Sequence, residues 1–185
     1  MQKILFGSPG TGKSYKIDHE IVPDTLGITN KDHIVKTVFH PEYTYGDFMG
    51  KLLPMTRANN VEYRFYEGHF LRTLAKAYKS IIESKKQDSQ QETATNVVLV
   101  IDEINRGNSS AIFGTIFQLL DRDEKEWSSY PVSISELEQM KLLELTCEEI
   151  LYDNKGVTTG YKLPTSKHAL KDLNALQNET NKQYS

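Results

Sequence analysis

The sequence predicts an α/β fold, a mainly parallel sheet with helices on both faces. Three observations carry that expectation. Strand-like and helix-like stretches alternate along the first 120 residues, and parallel strands need crossovers of that kind. Residues 97–101 (VVLVI) are apolar without interruption, as suits a strand covered on both faces. A glycine-rich loop, residues 7–12, separates a short apolar run from a helical stretch.

Taken in order, residues 2–6 (QKILF) break at Gly7 and predict a first strand. Residues 13–22 predict a helix stopped by Pro23. The β-branched run 33–39 (HIVKTVF) predicts a second strand. A short helix over 45–53 is expected to end at Pro54, and 61–66 alternates weakly into Glu67-Gly68, a hairpin-turn signal. Phe70, Leu71, Leu74, Ala75, Tyr78, Ile81 and Ile82 fall on one stripe of a helix. Residues 84–96 (SKKQDSQQETATN) lack periodicity and predict a surface loop before the strand at 97–101.

Ile112, Phe113, Ile116, Phe117, Leu119 and Leu120 make another stripe, with Asn108 or Ser109 placed as its cap. One more helix is expected over 136–152; residues 153–185 are polar and show no strand pattern. The chain thus divides into a core over 1–135 and a helical and irregular extension over 136–185.

Composition bounds the function. The chain has 185 residues, 38% of them hydrophobic, and a formal net charge of −3, enough for a core and too acidic for a general nucleic-acid surface. No apolar run approaches the roughly 18 residues that span a bilayer, and MQKILFGSPG lacks the form of a signal peptide, so a cytoplasmic protein is expected. Cys147 is the single cysteine, has no evident adjacent base, and reads as a structural residue within a helix.

Residues 7–14, GSPGTGKS, fit G-x-x-x-x-G-K-[ST] in full. A chance match in a chain of this length is expected on the order of one time in a hundred, so a merely structural turn is the weaker explanation. Glycines let the backbone curl until successive N–H groups point at phosphate oxygens, and the following helix adds its positive end. Gly7, Pro9, Gly10, Thr11, Gly12, Lys13, Ser14 and Tyr15 are the nucleotide-binding candidates. Lys13 brings a charge to the β- and γ-phosphates, and the Ser14 hydroxyl is a ligand for Mg²⁺.

That metal needs a second anchor. In a parallel sheet the strand C-termini line one edge, where ligands bind. Asp102 ends the buried run and is the second metal candidate; Glu103 follows it and is the candidate to orient or deprotonate the attacking water. A helix cap plus a solvated acid is the structural alternative, and it would leave two acids at a buried strand end without compensation.

These stretches, with VLVIDEINRGNSSAIFGTIFQLLD, resemble the AAA+ ATPase superfamily, whose large subdomain is a three-layer P-loop NTPase fold. More narrowly, they look like the McrB-like motor subunits of modification-dependent restriction systems. Residues 39–54 (FHPEYTYGDFMGKLLP) resemble that group's F-H-x-x-Y-[ST]-Y-x-D-F segment, and 63–78 (YRFYEGHFLRTLAKAY) its G-x-F segment leading into a helix. The resemblance covers roughly residues 1–135.

It implies an NTP-driven hexameric ring that acts with an McrC-like nuclease on DNA, DNA being reached through the partner or another domain. ATP or GTP is the implied nucleotide, since a phosphate loop does not read the base. Asn105 and Arg106 are implied near the γ-phosphate or at a subunit interface, completing a catalytic set with Lys13 and Glu103. His40, Tyr43, Tyr45, Asp47 and Phe48 read mainly as packing and loop anchors. The family pattern continues with a strand bearing a polar sensor, an arginine finger and a helical lid, which no stretch after Pro131 matches. A shortened member, incomplete at the C-terminus, is therefore expected, with nucleotide binding better supported than turnover. The alternatives are a nucleotide-binding assembly module without hydrolysis and a MoxR-like chaperone ATPase, which shares a DEINR-type strand end.

Overall fold

The computed structural model describes residues 1–57, 60–84, 93–124, 128–155, 157–163 and 175. In chain order the elements are α1 (Lys13–Lys16), continued by a π-helical segment (Ile17–Thr25), a 3-10 turn (Lys31–His33), β1 (Ile34–Val38), α2 (Tyr45–Phe48), β2 (Gly50–Arg57), β3 (Asn60–Glu67) and α3 (His69–Ser84). Then come β4 (Val98–Asp102), α4 (Ser109–Phe113) with a 3-10 continuation (Gly114–Leu120), α5 (Glu136–Thr146), β5 (Glu149–Tyr152) and β6 (Thr158–Lys162).

The centre is a parallel pair, β1 with β4, in the register Ile34↔Val98 through Val38↔Asp102. Side chains alternate across such a pair, so its two faces meet different elements. Leu99 and Ile101 pack on the main core cluster, where Phe39, Tyr43, Phe48, Met49, Leu71, Ala75, Ile112, Ile116 and Leu142 gather. The opposite face carries Val100 and its register partner Lys36, which forms an ion pair with Asp18 of the π-helical segment. A parallel pair with helices packed on the face of Leu99 and Ile101 agrees with the α/β expectation. Among the described residues the pair is two strands wide; β2–β3 and β5–β6 are separate antiparallel hairpins.

Several elements depart from the sequence pattern. Residues 2–6 do not form a strand. A strand needs a neighbour for its N–H and C=O groups, and among the described residues none pairs with this segment. Ile4 and Phe6 are exposed, and the Gln2 side chain tethers the run by donating to Leu120 O at 3.1 Å. Pro23 does not stop the helix; it lies inside the π-helical segment, where Leu26 N donates to Ile21 O five residues back. The wider turn absorbs a residue that has no N–H and whose ring crowds an α-helical carbonyl.

Pro54 belongs to β2, opposite Tyr63, and the helix expected over 45–53 is reduced to α2. A two-stranded ribbon is all edge, so proline is tolerated there. Glu67-Gly68 is the junction to α3 rather than a hairpin turn, and the β2–β3 connection at 58–59 lies outside the described residues. Most of the expected 84–96 loop also lies outside them. The stripe over 112–120 divides at Gly114, whose φ of 51° ends α-helical geometry. The helix expected over 136–152 ends at Thr146, and β5 then pairs with β6, a strand absent from the sequence reading. That hairpin is held from outside: Tyr161 and Leu163 join Ile82 of α3 and Leu143 of α5 in a second cluster.

The F-H-x-x-Y segment supplies packing. Phe39 is wholly buried and stacks on Tyr43 with ring centroids 4.7 Å apart, and Phe48 meets Phe39 edge-on. The Tyr43 hydroxyl lies 2.9 Å from His69 Nδ1 and donates to Asp47 O at 3.2 Å, which ties α2 to α3. Thr44 and Asp47 form a capping box on α2, and Lys51 closes on the Asp47 carboxylate at 2.6 Å. Burial pushes the Asp47 carboxyl up, but the Lys51 ammonium and the Thr44 hydroxyl and N–H outweigh it and hold it at about 2.

A carboxylate whose folded value is depressed stabilises the fold above its unfolded value near 4 and loses that contribution as pH falls through about 2. Asp47→Ala is thus expected to lower stability by about 1–2 kcal/mol at pH 7, the usual range for a lost cap. Urea titrations at pH 7 and at pH 2.5 check this: the difference between wild type and variant should narrow at the lower pH.

Candidate functional site

The glycine loop curls because Gly10 and Gly12 adopt φ of 78° and 77°, a left-handed conformation open to glycine at little cost. Gly12 is the N-cap of α1, so the loop ends where the helix begins. Inside the loop Thr11 Oγ1 donates to Ser8 O at 2.9 Å. Lys13 folds back, and its Nζ donates to Gly7 O and Ser8 O, both at 2.8 Å. The lysine is thereby held over the loop's own main chain. Pro9, Gly7 and Ser14 are exposed, and the Ser14 hydroxyl has no partner among the described residues. Tyr15 turns along the helix to stack on His19, ring centroids 4.1 Å apart.

Two contacts set the direction of the helix that follows the loop. Asn96 Nδ2, two residues before β4, donates to Leu26 O at 2.8 Å, beyond the far end of the helical segment. Asp18 meets Lys36, which is level with Val100 in mid-sheet. The helix therefore runs antiparallel to β4. From Asn96 to Asp102 the strand climbs roughly 20 Å, and the helical rise from Leu26 back to Gly12 is of the same order. The glycine loop lies at the end of this helix remote from Asn96. No hydrogen bond or ion pair links the loop to Asp102 among the described residues.

Asp102 ends β4, and its main-chain O accepts from Phe39 N at 2.9 Å. Its half-buried carboxylate has no hydrogen-bond or ion-pair partner among the described residues. Glu103 is the one non-glycine residue among those described with positive φ, at 53°. Arg106 N returns to Glu103 O at 2.8 Å, and Arg106 Nε meets Glu103 Oε2 at 2.9 Å. Asn105 lies exposed in the same turn. Asn108 is the cap of α4, accepting from Ala111 N at 3.2 Å, so of the two cap candidates the structure selects Asn108.

The donor set fits a magnesium–triphosphate. Among the described residues no cluster of three or more His, Cys, Asp or Glu could enclose a cation by itself. A hydroxyl at Ser14 and a carboxylate at Asp102 suit a metal whose remaining positions go to phosphate oxygens and water. Cys147 follows α5 instead of lying within it, and burial pushes its thiol up to about 11, consistent with a structural role.

Gly107 belongs to no local sequence pattern. A Cβ there would sit 2.7 Å from Ile112 Cδ1, 3.3 Å from Phe39 Cβ and 3.4 Å from His40 O. The turn after Glu103 thus presses against the end of β1, and only tertiary contact reveals why that position is a glycine.

A curled glycine loop at a helix start, with acids at the end of a parallel strand, defines the phosphate-loop class of nucleotide-binding proteins. The model of the AAA domain, dynein-related subfamily, matches residues 2–141, and the chain belongs to this family. Over 153 residues it is 33% identical to component YdiS of the type II restriction enzyme BsuMI of Bacillus subtilis (strain 168), a match covering 71% of this chain and 40% of that protein. Over 135 residues it is 30% identical to the EcoKMcrB subunit of the type IV methyl-directed restriction enzyme of Escherichia coli (strain K12), covering 72% of this chain and 26% of that protein. The McrB-like resemblance is thus borne out, while the chain spans less than half the length of either relative. No helix among the described residues is long and apolar enough to cross a membrane.

Gly107→Ala is expected to lower stability by about 1–3 kcal/mol, the usual cost of overpacking. Chemical denaturation checks it. Gly10→Ala, where a Cβ meets nothing within 4 Å, should cost about 1–2 kcal/mol from backbone conformation alone.

Proposed function

We propose that the chain binds a magnesium–nucleoside triphosphate, ATP or GTP, and hydrolyses it as the McrB-like motor portion of a DNA restriction complex. What supports this is the curled glycine loop at the start of a helix that runs antiparallel to β4, the strand that ends in Asp102. The N–H groups of residues 7–14 would bind phosphate oxygens, and Lys13 would exchange its two carbonyl partners for the β- and γ-phosphates. Ser14 and Asp102 would hold magnesium, which when bound supplies charge neutralisation on the phosphates. Glu103 would take the proton of the attacking water as its oxygen bonds to the γ-phosphorus and the bond to the β-phosphate oxygen breaks.

Similarity to two restriction-enzyme components supports the assignment to a restriction complex. Within that reading the chain joins a hexameric ring with an McrC-like nuclease, and Asn105 and Arg106 lie on the γ-phosphate side. A second reading, a nucleotide-binding assembly module without turnover, is favoured by residues 2–6, which lead into the glycine loop and pair with no strand among the described residues. A loop carried by a segment outside the sheet binds phosphate more readily than it holds catalytic geometry.

Phosphate release by the purified chain, with magnesium and ATP or GTP, separates the two. Glu103→Gln should keep nucleotide binding and lose turnover about 100-fold or more, and Lys13→Ala should lose binding. Turnover unchanged by both substitutions would exclude the proposed site; tight binding with no wild-type turnover would establish the assembly module.

A further inference from the structure

A cavity of about 280 Å³ opens between the 3-10 turn before β1 and the second half of α3. Its turn wall carries Asn30, Asp32 and His33. Its helix wall carries Lys76, Lys79 and Glu83, with the buried Ser80 between them. Ile34, the residue after His33, is level with Val98 at the start of β4. The cavity therefore lies at the opposite end of the strand pair from Asp102, roughly 13 Å away along the strand, and is independent of the nucleotide reading. Both walls are fixed from behind. Asn30 Oδ1 accepts from Asp32 N at 2.9 Å, His33 N donates to Asn30 O at 3.1 Å, and Ser80 Oγ donates to Thr95 O at 2.9 Å. Buried Leu71, Ala75 and Ile82 hold α3 itself.

Lys76, Lys79, Asp32 and Glu83 bring two positive and two negative side chains to one cleft, and none of the four forms an ion pair among the described residues. Along α3 the cations come first and the acid last. Lys76 and Glu83 are seven residues apart, roughly 10 Å of rise on one face of the helix. Asn30 adds a donor, because its Oδ1 is engaged by Asp32 N while its Nδ2 is not. His33 Nδ1 is buried without a hydrogen-bond partner among the described residues, the kind of polar atom that an ordered water or a ligand group ordinarily satisfies. A ligand of one sign meets repulsion from half of this lining. A ligand carrying both signs does not.

We propose that this cleft binds a free α-amino acid, its carboxylate toward Lys76, Lys79 and the Asn30 amide, its ammonium toward Asp32 and Glu83. The volume is near the lower limit of small-molecule sites and suits a ligand of that size. A polar, uncharged side chain fits best, since it leaves the balance of charge in the cleft intact. Asp32, Lys79 and Glu83 are exposed, so water screens each contact. A dissociation constant on the order of 1 mM is expected from contacts of that kind.

L-Glutamine titrated into the full chain, followed by amide NMR spectra, tests this. Saturable shifts should appear in both walls, at 30–33 and 76–83, with a dissociation constant on the order of 1 mM. N-acetylglutamine lacks the ammonium and glutamine α-amide lacks the carboxylate; each should bind about fivefold more weakly. Lys76→Gln should weaken glutamine and shrink its advantage over the α-amide, leaving its advantage over the N-acetyl form. Glu83→Gln should do the reverse. Lys79→Gln and Asp32→Asn repeat the two comparisons with different side chains, and unchanged thermal midpoints show that the variants fold. Shifts that fail to saturate, or that lie outside both walls, would overturn the proposal. So would equal affinity for glutamine and its capped forms, or variants that leave the preferences untouched. Saturation of these residues by inorganic phosphate and not by glutamine would overturn it in favour of a plain anion site.

Discussion

The parallel pairing of β1 with β4 constrains everything else in the molecule. Its register sets Val38 level with Asp102, and Phe39 N then donates to Asp102 O, so the ends of the two strands are locked together. From that lock the chain turns in two directions. After β1 it enters the aromatic segment that fills the core; after β4 it enters the charged turn at 103–106. One main-chain contact therefore couples the aromatic core segment to the charged turn. A shift of register by one residue would turn Leu99 and Ile101 away from the core and re-aim Asp102.

The aromatic segment explains how a small parallel pair holds an exposed turn in a strained conformation. Phe39 and Tyr43 before α2 and Phe48 within it bring their rings into one cluster, and the Tyr43 hydroxyl anchors that cluster to His69 at the start of α3. Full burial of such side chains contributes about 1.5–3 kcal/mol each, enough to offset a residue held at positive φ. Gly107 is where the two parts touch, close to Phe39, His40 and Ile112. The residues that resemble a family segment thus act through packing, and the charged turn inherits its position from them. Tyr45 extends the same logic, since its hydroxyl donates to the buried Glu138 at 3.3 Å and so ties α5 to α2.

Parts of this were legible in the residues and parts were not. The stripe from Phe70 to Ile82 became α3 because a long amphipathic pattern carries its own specification. The runs at 33–39 and 97–101 became β1 and β4 because β-branched and continuous apolar residues suit a covered parallel pair. The failures share a different cause. Residues 2–6 have strand composition without a strand beside them, and pairing is a property of two segments. Pro54 and Pro23 have the sequence setting of helix stops, yet an edge ribbon and a widened helical turn each make room for a ring and a missing N–H. Residues 149–152 continue a helical pattern locally and form β5 because β6 and the Tyr161–Leu163 cluster offer more burial than another helical turn would.

For the candidate site the division is equally clear. The sequence by itself determined which groups are available: glycines that can adopt positive φ, a lysine and a serine at a helix start, and two acids at the end of an apolar strand. Those are local properties, written in residue type and spacing. Only the tertiary structure decided how they are disposed. The helix runs antiparallel to β4 because Leu26 is held at Asn96 and Asp18 at Lys36, contacts between residues as far as 70 positions apart. Glu103 has a left-handed φ and pairs with Arg106 in a turn whose Gly107 lies close to Phe39 and Ile112, a contact that no local pattern explains. Residue type selects the chemistry; long-range packing selects its direction.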